Sequence, residues 1–491
     1  MIEAAQGLLL AFNYFVLFYF IAINTSYLIF ILIAARKVPS RYRRVGLQGF
    51  NELATSPLMP GVSVVVAAFN EEAGIVQSVR SMLELAYPKF EIIVVDDGSK
   101  DETFERLRAE FDLVEVPKVV EHLVPTIGEV LSTHLPRGGE SLVVVRKVNT
   151  GRRADASNVG INTASHELVC IVDADCVMDR DGLIRVAQPF ANDPERMIAT
   201  GGVIRVANGC VIERGEILQT GMPDSWLPRI QVVEYLRAFL LGRVGWSELN
   251  GLLIISGAFG MFRKDIVIEV GGFDLHCIGE DAELVARMHH HMLSNKRPYR
   301  MAMVPDTVNW TEVPETVKVL GRQRRRWSRG LTELLIKHRR MFLNPRYGRI
   351  GLVVMPYFLL FEALGPFIEL FGFATVLLGL AMGQLNPPFA IFFLLVAVGY
   401  GIMVSLASVV VDDVTRAVYR GRKNLVILVI SAFAENIGFR QMHAWWRMRG
   451  VISAVMKSDS AWGTMTRTGL GAGATSTSLT TQTDPPRAEQ R

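Results

Sequence analysis

The run from residue 8 to residue 35, LLLAFNYFVLFYFIAINTSYLIFILIAA, contains no charged side chain. A stretch that long and that apolar can cross a bilayer as one helix, which pairs its own backbone polar groups. A secretory leader would start basic, be shorter and end in small residues. Here the start is acidic (Glu3) and the run is long, so the segment reads as an uncleaved anchor. Arg36, Lys37, Arg41, Arg43 and Arg44 follow at once, which places that flank in the cytoplasm and the N-terminus outside. Composition agrees. Half of the 491 residues are hydrophobic and the mean hydropathy is +0.27, too apolar for an ordinary soluble enzyme. The net charge of +4 (52 basic less 48 acidic) gives no reason to expect a nucleic-acid partner. The four cysteines lack zinc-ligand or CxxC spacing, which fits a reduced, cytoplasmic setting.

Residues 60–335 read as one α/β unit. VSVVVAAF (62–69), EIIVVDDGS (91–99), LVVVRKV (142–148) and ELVCIVDA (167–174) are continuous β-branched runs, as expected for strands buried on both faces. Helical patterns alternate with them, which predicts a parallel, doubly wound sheet with its ligands beyond the C-terminal strand ends. Those ends carry Asn70, Asp96, Asp97, Asp173 and Asp175. Residues 110–140 have little periodicity and read as a long excursion between strands.

Further apolar segments cover 350–383, 387–411 and 424–439. Arg416, Arg420, Arg422 and Lys423 place the loop 412–423 inside, and Arg440, Arg447 and Arg449 also favour the inside. A third simple crossing would put the latter outside. Residues 424–450 are therefore expected to be re-entrant or interfacial, the alternative being a tight helical hairpin over 350–383. The chain from 350 to 450 is read as transmembrane and interfacial helices. The tail, 468–491, is small, polar and Pro-tipped and reads as disordered.

Asp173 and Asp175 stand two apart at a strand end, so both point to one face. Two adjacent carboxylates repel unless a cation lies between them and their ligand. Hard oxygen donors here suit Mg²⁺ or Mn²⁺ bridging to a substrate diphosphate. A lone DxD is more often a solvated acidic loop, so the surrounding motifs decide its weight.

Those motifs resemble, in order, the membrane-embedded family-two glycosyltransferases, the group of cellulose, hyaluronan and poly-N-acetylglucosamine synthases. They are AAFNEE (67–72), DDGS (96–99), NTGRRADASNVGI (149–161), DAD (173–175), SGAFGMF (256–262), GED (279–281) and QRRRW (323–327). The resemblance implies a glycosyltransferase-A-type, doubly wound, mostly parallel sheet inserted between transmembrane helices. It implies a UDP-sugar donor contacted by Ala68, Asn70, Glu72, Asp97, Arg153 and Asp173, and a metal held by Asp175 with Asp173. Ser256, Gly257, Ala258 and Trp327 would meet a polysaccharide or glycolipid acceptor. Asp281 would be the general base, with Gln323, Arg326 and Trp327 at the catalytic centre. These roles make independent sense: a sugar hydroxyl needs a positioned carboxylate to deprotonate it, and departing UDP needs a fixed cation. The family usually has lysine at Arg153, and the two are not interchangeable. Glu280 beside Asp281 would let like-charge repulsion raise one of the two pKa values.

Other features read more plainly. Arg322, Arg324 and Arg329 are expected to flank the membrane, and Trp445-Trp446 to belong to its interfacial belt. His289-His290-His291 point in different directions on a helix and read as solvated. WGTMTR (462–467) resembles a C-terminal tryptophan segment of the same synthases.

Three functions compete. The first is an inverting, metal-dependent synthase extending a β-linked polysaccharide, with export through its own helices. The second transfers one sugar to a lipid carrier; QxxRW counts against it. The third is a non-catalytic membrane protein that binds nucleotide, which the intact motif set disfavours. The expected location is a bacterial inner membrane, with the catalytic domain cytoplasmic.

Overall fold

Four aliphatic runs form the centre of one sheet in the computed structural model, which describes residues 2–45, 56–117, 120–213, 215–415 and 418–457. They are β1 (Val62–Ala68), β2 (Phe90–Asp96), β5 (Leu142–Lys147) and β6 (Leu168–Asp173). Between them in sequence lie β3 (Leu113–Val116) and β4 (Val130–Pro136). Beyond them come β7 (Cys176–Met178), β8 (Met197–Val206), a small hairpin of β9 (Val211–Glu213) and β10 (Glu216–Gln219), β11 (Phe259–Arg263) and β12 (Arg300–Thr311). The main sheet has ten strands in the order β3-β4-β5-β2-β1-β6-β11-β8-β12-β7.

The central strands β5, β2, β1 and β6 are parallel, as their unbroken Val/Ile runs predict. Val64, Val65, Val66, Ile92, Ile93, Val94 and Val95 are fully buried. The flanks differ. β3 and β4 pair antiparallel with each other, and β4 is antiparallel to β5. The described residues of 110–140 thus supply the edge strand β3 and its inner neighbour β4 rather than a structureless excursion. β4 alternates exposed and buried side chains only in part, which hides it from a search for periodicity. On the other side β11 runs antiparallel to both β6 and β8, so the sheet is mixed.

Among the described residues, three helices are long and apolar enough to cross a membrane: Leu10–Pro39, Pro387–Thr415 and Arg422–Val455. A fourth is added if Ile350–Ala363 and Gly365–Ala381, bent by 44°, count as one span. The last helix kinks at Ile437 and Gly438, where φ reaches +81°, a conformation glycine adopts without strain. Past the kink, Arg440–Val455 packs along the Val317–Lys337 helix: Ser328 Oγ donates to Arg447 O at 2.9 Å. Trp446 lies against Gly321, where a Cβ would come within 2.8 Å of its ring. The WGTMTR segment and the tail from 468 lie outside the described residues.

Candidate active site

The ends of the parallel strands build one side of the site. After β1, Asn70 takes a left-handed conformation (φ 56°), with its side-chain oxygen accepting from Lys100 N at 2.8 Å. Glu72 spans the same two loops: its N–H donates to Asp101 at 3.2 Å and its carboxylate accepts from Glu102 N at 3.1 Å. Ala68 closes β1, its carbonyl accepting from Asp97 N at 2.9 Å. Glu72 therefore braces the loops through its own hydrogen bonds, and Asn70 joins them.

Asp97 is buried and ion-paired with Lys147, which is itself fully buried at the end of β5. Lys147 also meets Asp155 at 3.0 Å, and Asp155 accepts from Ile127 N and Gly128 N at 2.7 and 3.0 Å. Asn149 donates to the Asp97 carbonyl at 2.6 Å. Burial pushes the Asp97 carboxyl up to about 6, with Lys147 opposing. The backbone N–H and Lys147 contacts outweigh burial at Asp155 and hold it below its ordinary value. Lys147, Asn149 and Asp155 were missed from sequence. The available signal was a lysine closing the LVVVRK run, just ahead of NTGRRADASNVGI.

Arg153 opens the Arg153–Thr163 helix and reaches across the site. It meets Asp173 at 2.6 Å, Glu280 at 3.2 Å and the carbonyl of Gly257 at 2.7 Å. Burial works against its charge, but Asp173, Glu280 and Asp281 outweigh it and hold the guanidinium above its ordinary pKa. Gly257 in turn donates its N–H to Asp281 Oδ2 at 2.7 Å. A Cβ there would sit 3.2 Å from Arg153 and 3.3 Å from Asp281, so the loop of Ser256, Gly257 and Ala258 fits closely between them. Asp281 and Glu280 lie in the first turn of the Glu280–Ser294 helix, where the helix dipole favours carboxylates. Burial raises the Glu280 pKa; Arg153 opposes this, and Asp281 adds to it.

The Val317–Lys337 helix supplies Gln323, Arg326 and Trp327. Burial lowers the Arg326 pKa against the pull of Glu280 and Asp173, whose charges reach it. Trp327 is 45% exposed, and the buried side-chain oxygen of Gln323 has no hydrogen-bond partner among the described residues. Arg324 departs from expectation. It is buried, donates to Glu234 at 2.8 Å and lies 4.3 Å over the Trp327 ring, so it faces protein and not lipid. Arg329 pairs with Glu333 at 2.8 Å.

Asp173 ends β6, and Asp175 follows in the turn before β7, 8% exposed. No group of three His, Cys, Asp or Glu among the described residues is arranged to hold a metal ion alone. Two carboxylates do fit a divalent ion whose remaining oxygens come from substrate phosphate and water. One of the three histidines differs from expectation too. His289 is buried, bonded to Tyr299 Oη and Leu252 O, and burial pushes it down to about 4, hence neutral.

The strand ends thus gather paired carboxylates, with the half-buried Arg153 bridging to them and the half-buried Arg326 within reach of their charge. The chain belongs to the glycosyltransferase-like family 2, whose model matches residues 60–330, and its sheet is the mixed α/β sheet of the glycosyltransferase-A type. It is 30% identical over 306 residues to the poly-β-1,6-N-acetyl-D-glucosamine synthase of Staphylococcus aureus strain COL, covering 62% of this chain and 61% of that protein. The Staphylococcus epidermidis synthase is 31% identical over 279 residues, 56% of each chain. The chain thus spans about three-fifths of the length of the curated relatives it matches. Among solved structures, a mannosyltransferase from Pyrobaculum calidifontis, in complex with GDP-mannose and Mn²⁺, aligns with a TM-score of 0.49 at 20% identity. That alignment covers 87% of this chain and 99% of the other.

Proposed function

We propose that this chain is an inverting glycosyltransferase that moves a sugar, N-acetylglucosamine by analogy with its relatives, from a UDP-sugar to a growing β-linked polysaccharide at the membrane. The observation that carries this reading is the Arg153 bridge, which joins Asp173 of the donor side to Glu280 and the Gly257–Asp281 loop of the acceptor side. In this reading Asp281 takes the proton of the acceptor hydroxyl. The new C–O bond forms opposite the breaking bond to UDP, so the anomeric centre inverts. Arg326 and Arg153 face the charge that develops on the departing diphosphate. Asp97, with Lys147 fixing it, would hold the nucleoside. A Mg²⁺ or Mn²⁺ ion between Asp175, Asp173 and the diphosphate would supply further positive charge.

Coupling to export has support of its own. Among the apolar helices, Arg440 meets Glu369 at 3.0 Å and Arg447 meets Glu362 at 2.6 Å, and Glu435 is met at 2.6 Å by Arg237 from the neighbouring segment Arg237–Arg243. Charges in membrane segments are costly and mark pathways for polar cargo. The test is UDP release by the detergent-purified chain with a panel of UDP-sugars and Mn²⁺ or Mg²⁺, beside Asp175→Asn and Asp281→Asn. Turnover with one donor, lost in both variants and on chelation, is expected, with a polymeric product. Turnover that survives in both variants overturns the assignment.

A further inference from the structure

Two adjoining cavities, of about 360 and 310 Å³, share Asn250, Tyr299 and Arg300 in their walls. They open at the edge of the sheet opposite the reaction site. β11 is antiparallel to both β6 and β8, and β12 is parallel to β8, so β8 and β12 run the same way as β6. Arg196 stands just before β8 and Arg300 opens β12, whereas Asp173 stands where β6 ends. The transfer reaction proposed above uses no residue of either cavity.

The walls are basic. Arg196 and Arg300 line the first cavity, and Arg300 and Arg349 the second. Arg196 and Arg300 share one carboxylate, that of Asp193, at 3.1 and 3.8 Å, and both guanidinium groups stay exposed. Arg349 donates to the Leu249 carbonyl at 3.4 Å. Glu248 is the one acid lining either cavity among the described residues, and Lys37 meets it at 2.7 Å.

The same cavities adjoin two apolar segments. Lys37 lies near the end of the Leu10–Pro39 helix, and Ile350, in the wall of the second cavity, opens Ile350–Ala363. The Trp246 ring, just ahead of Ser247 and Glu248 in the first wall, is 5.1 Å from Phe30 of the one segment and 4.8 Å from Tyr357 of the other, between centroids. Leu352 and Val353, directly after Ile350, are exposed, as is Leu32. Guanidinium forks are matched to phosphate oxygens, and basic pockets at the ends of apolar helices suit anionic headgroups.

We propose that these cavities bind the phosphate of an anionic phospholipid through Arg196, Arg300 and Arg349, with its acyl chains along Leu352 and Val353. The inference rests on the membrane placement in the reading above and adds a lipid ligand to it. A soluble phosphate ester presents the same anion but makes no use of the aliphatic surface beside it.

The experiment uses the full chain in neutral detergent. It measures equilibrium binding of radiolabelled dioleoylphosphatidylglycerol in mixed micelles, with dioleoylphosphatidylcholine and glycerol 3-phosphate as competitors. Wild type is expected to hold phosphatidylglycerol against an excess of either competitor. In Arg300→Gln/Arg349→Gln its Kd rises about thirtyfold, at about fivefold for each arginine near an anionic surface. Arg196→Gln raises it about fivefold and serves if the double variant does not fold. Arg420→Gln/Arg422→Gln removes two exposed arginines beside another apolar helix and leaves the Kd within twofold of wild type. A Kd within twofold of wild type in the cavity variants, or an equal rise in both double variants, overturns the site. Displacement by glycerol 3-phosphate makes it a site for soluble phosphate, and equal affinity for phosphatidylcholine makes it no anion site; either overturns the lipid assignment. Because UDP release is not the readout, a chain that transfers no sugar still gives an answer. A chain that carbonate washes off the membrane fraction overturns the membrane placement, and the site with it.

Discussion

Arg153 and Asp173 are joined at 2.6 Å across the mouth of the sheet, and the same guanidinium holds Glu280 at 3.2 Å and the Gly257 carbonyl. One side chain therefore neutralises a candidate metal ligand and positions the loop that bonds Asp281. Arg153→Met leaves Glu280 buried without its cation, an arrangement that costs about 3–5 kcal/mol when one partner of a buried pair is removed. Transfer is expected to fall at least a hundredfold. Arg153→Lys keeps the charge but has a single point donor for three partners, so it should retain more activity than the methionine variant and less than wild type. Initial rates of UDP release check the order; equal rates in the two variants would refute it.

Nucleotide affinity should depend on pH through Asp97. Its carboxyl is pushed up to about 6 by burial, so it is an ionised acceptor above that pH and takes a proton below it. UDP affinity measured by calorimetry is expected to fall as the pH drops through 6, and Asp97→Asn should flatten the profile. The linkage to folding has the opposite sign. The fold prefers the protonated form, so this group's contribution to stability is full below the ordinary value of 3.8 and is lost as the pH rises through 6.

The central strands and the site they end in were legible because both follow from local chemistry. Fully buried parallel strands must be aliphatic, and a carboxylate at the end of one, as at Asp97 or Asp173, stands out against that run. Arg324 was misjudged because a basic run before an apolar segment looks the same whether it faces lipid or a buried partner. Only the fold brings Glu234 to it from ninety positions away. His289 hides for a similar reason: its partners, Tyr299 and Leu252 O, come from two other segments. Lys147 was passed over because a terminal strand lysine ordinarily reaches solvent, and its burial depends on the pairing of β2 with β5. The edge strand β3 and its neighbour β4 carry too few alternating residues to separate from loop.

Two glycines set how closely the helices that carry Asp281 and Arg326 approach each other. Gly279, before the Glu280–Ser294 helix, and Gly330, within Val317–Lys337, touch backbone to backbone. A Cβ on Gly330 would fall 2.8 Å from Gly279 Cα, with no flexible side chain to yield. Gly330→Ala should push the two helices apart at a cost of about 1–3 kcal/mol. Moving Asp281 from Arg326 should reduce kcat about tenfold or more, since misplacement of this kind costs about two orders of magnitude at 1 Å. Thermal melting and kcat together test this; unchanged kcat with a lowered Tm would make the contact structural only.

Arg205 of β8 and Asp412 of the Pro387–Thr415 helix form a buried pair at 2.5 Å, 3% and 4% exposed, that fastens the catalytic sheet to an apolar helix. Asp412→Leu strands the arginine in a site with little water, and a loss of about 3–5 kcal/mol is expected. Arg205→Met strands the carboxylate and should cost a similar amount. The double variant removes both charges and replaces them with apolar groups, which is often neutral for buried pairs. Its melting temperature in detergent should therefore return most of the way to wild type, giving a strong positive coupling in the double-mutant cycle. Additive losses in that cycle would mean that the pair contributes nothing to the attachment and that each residue acts through other neighbours.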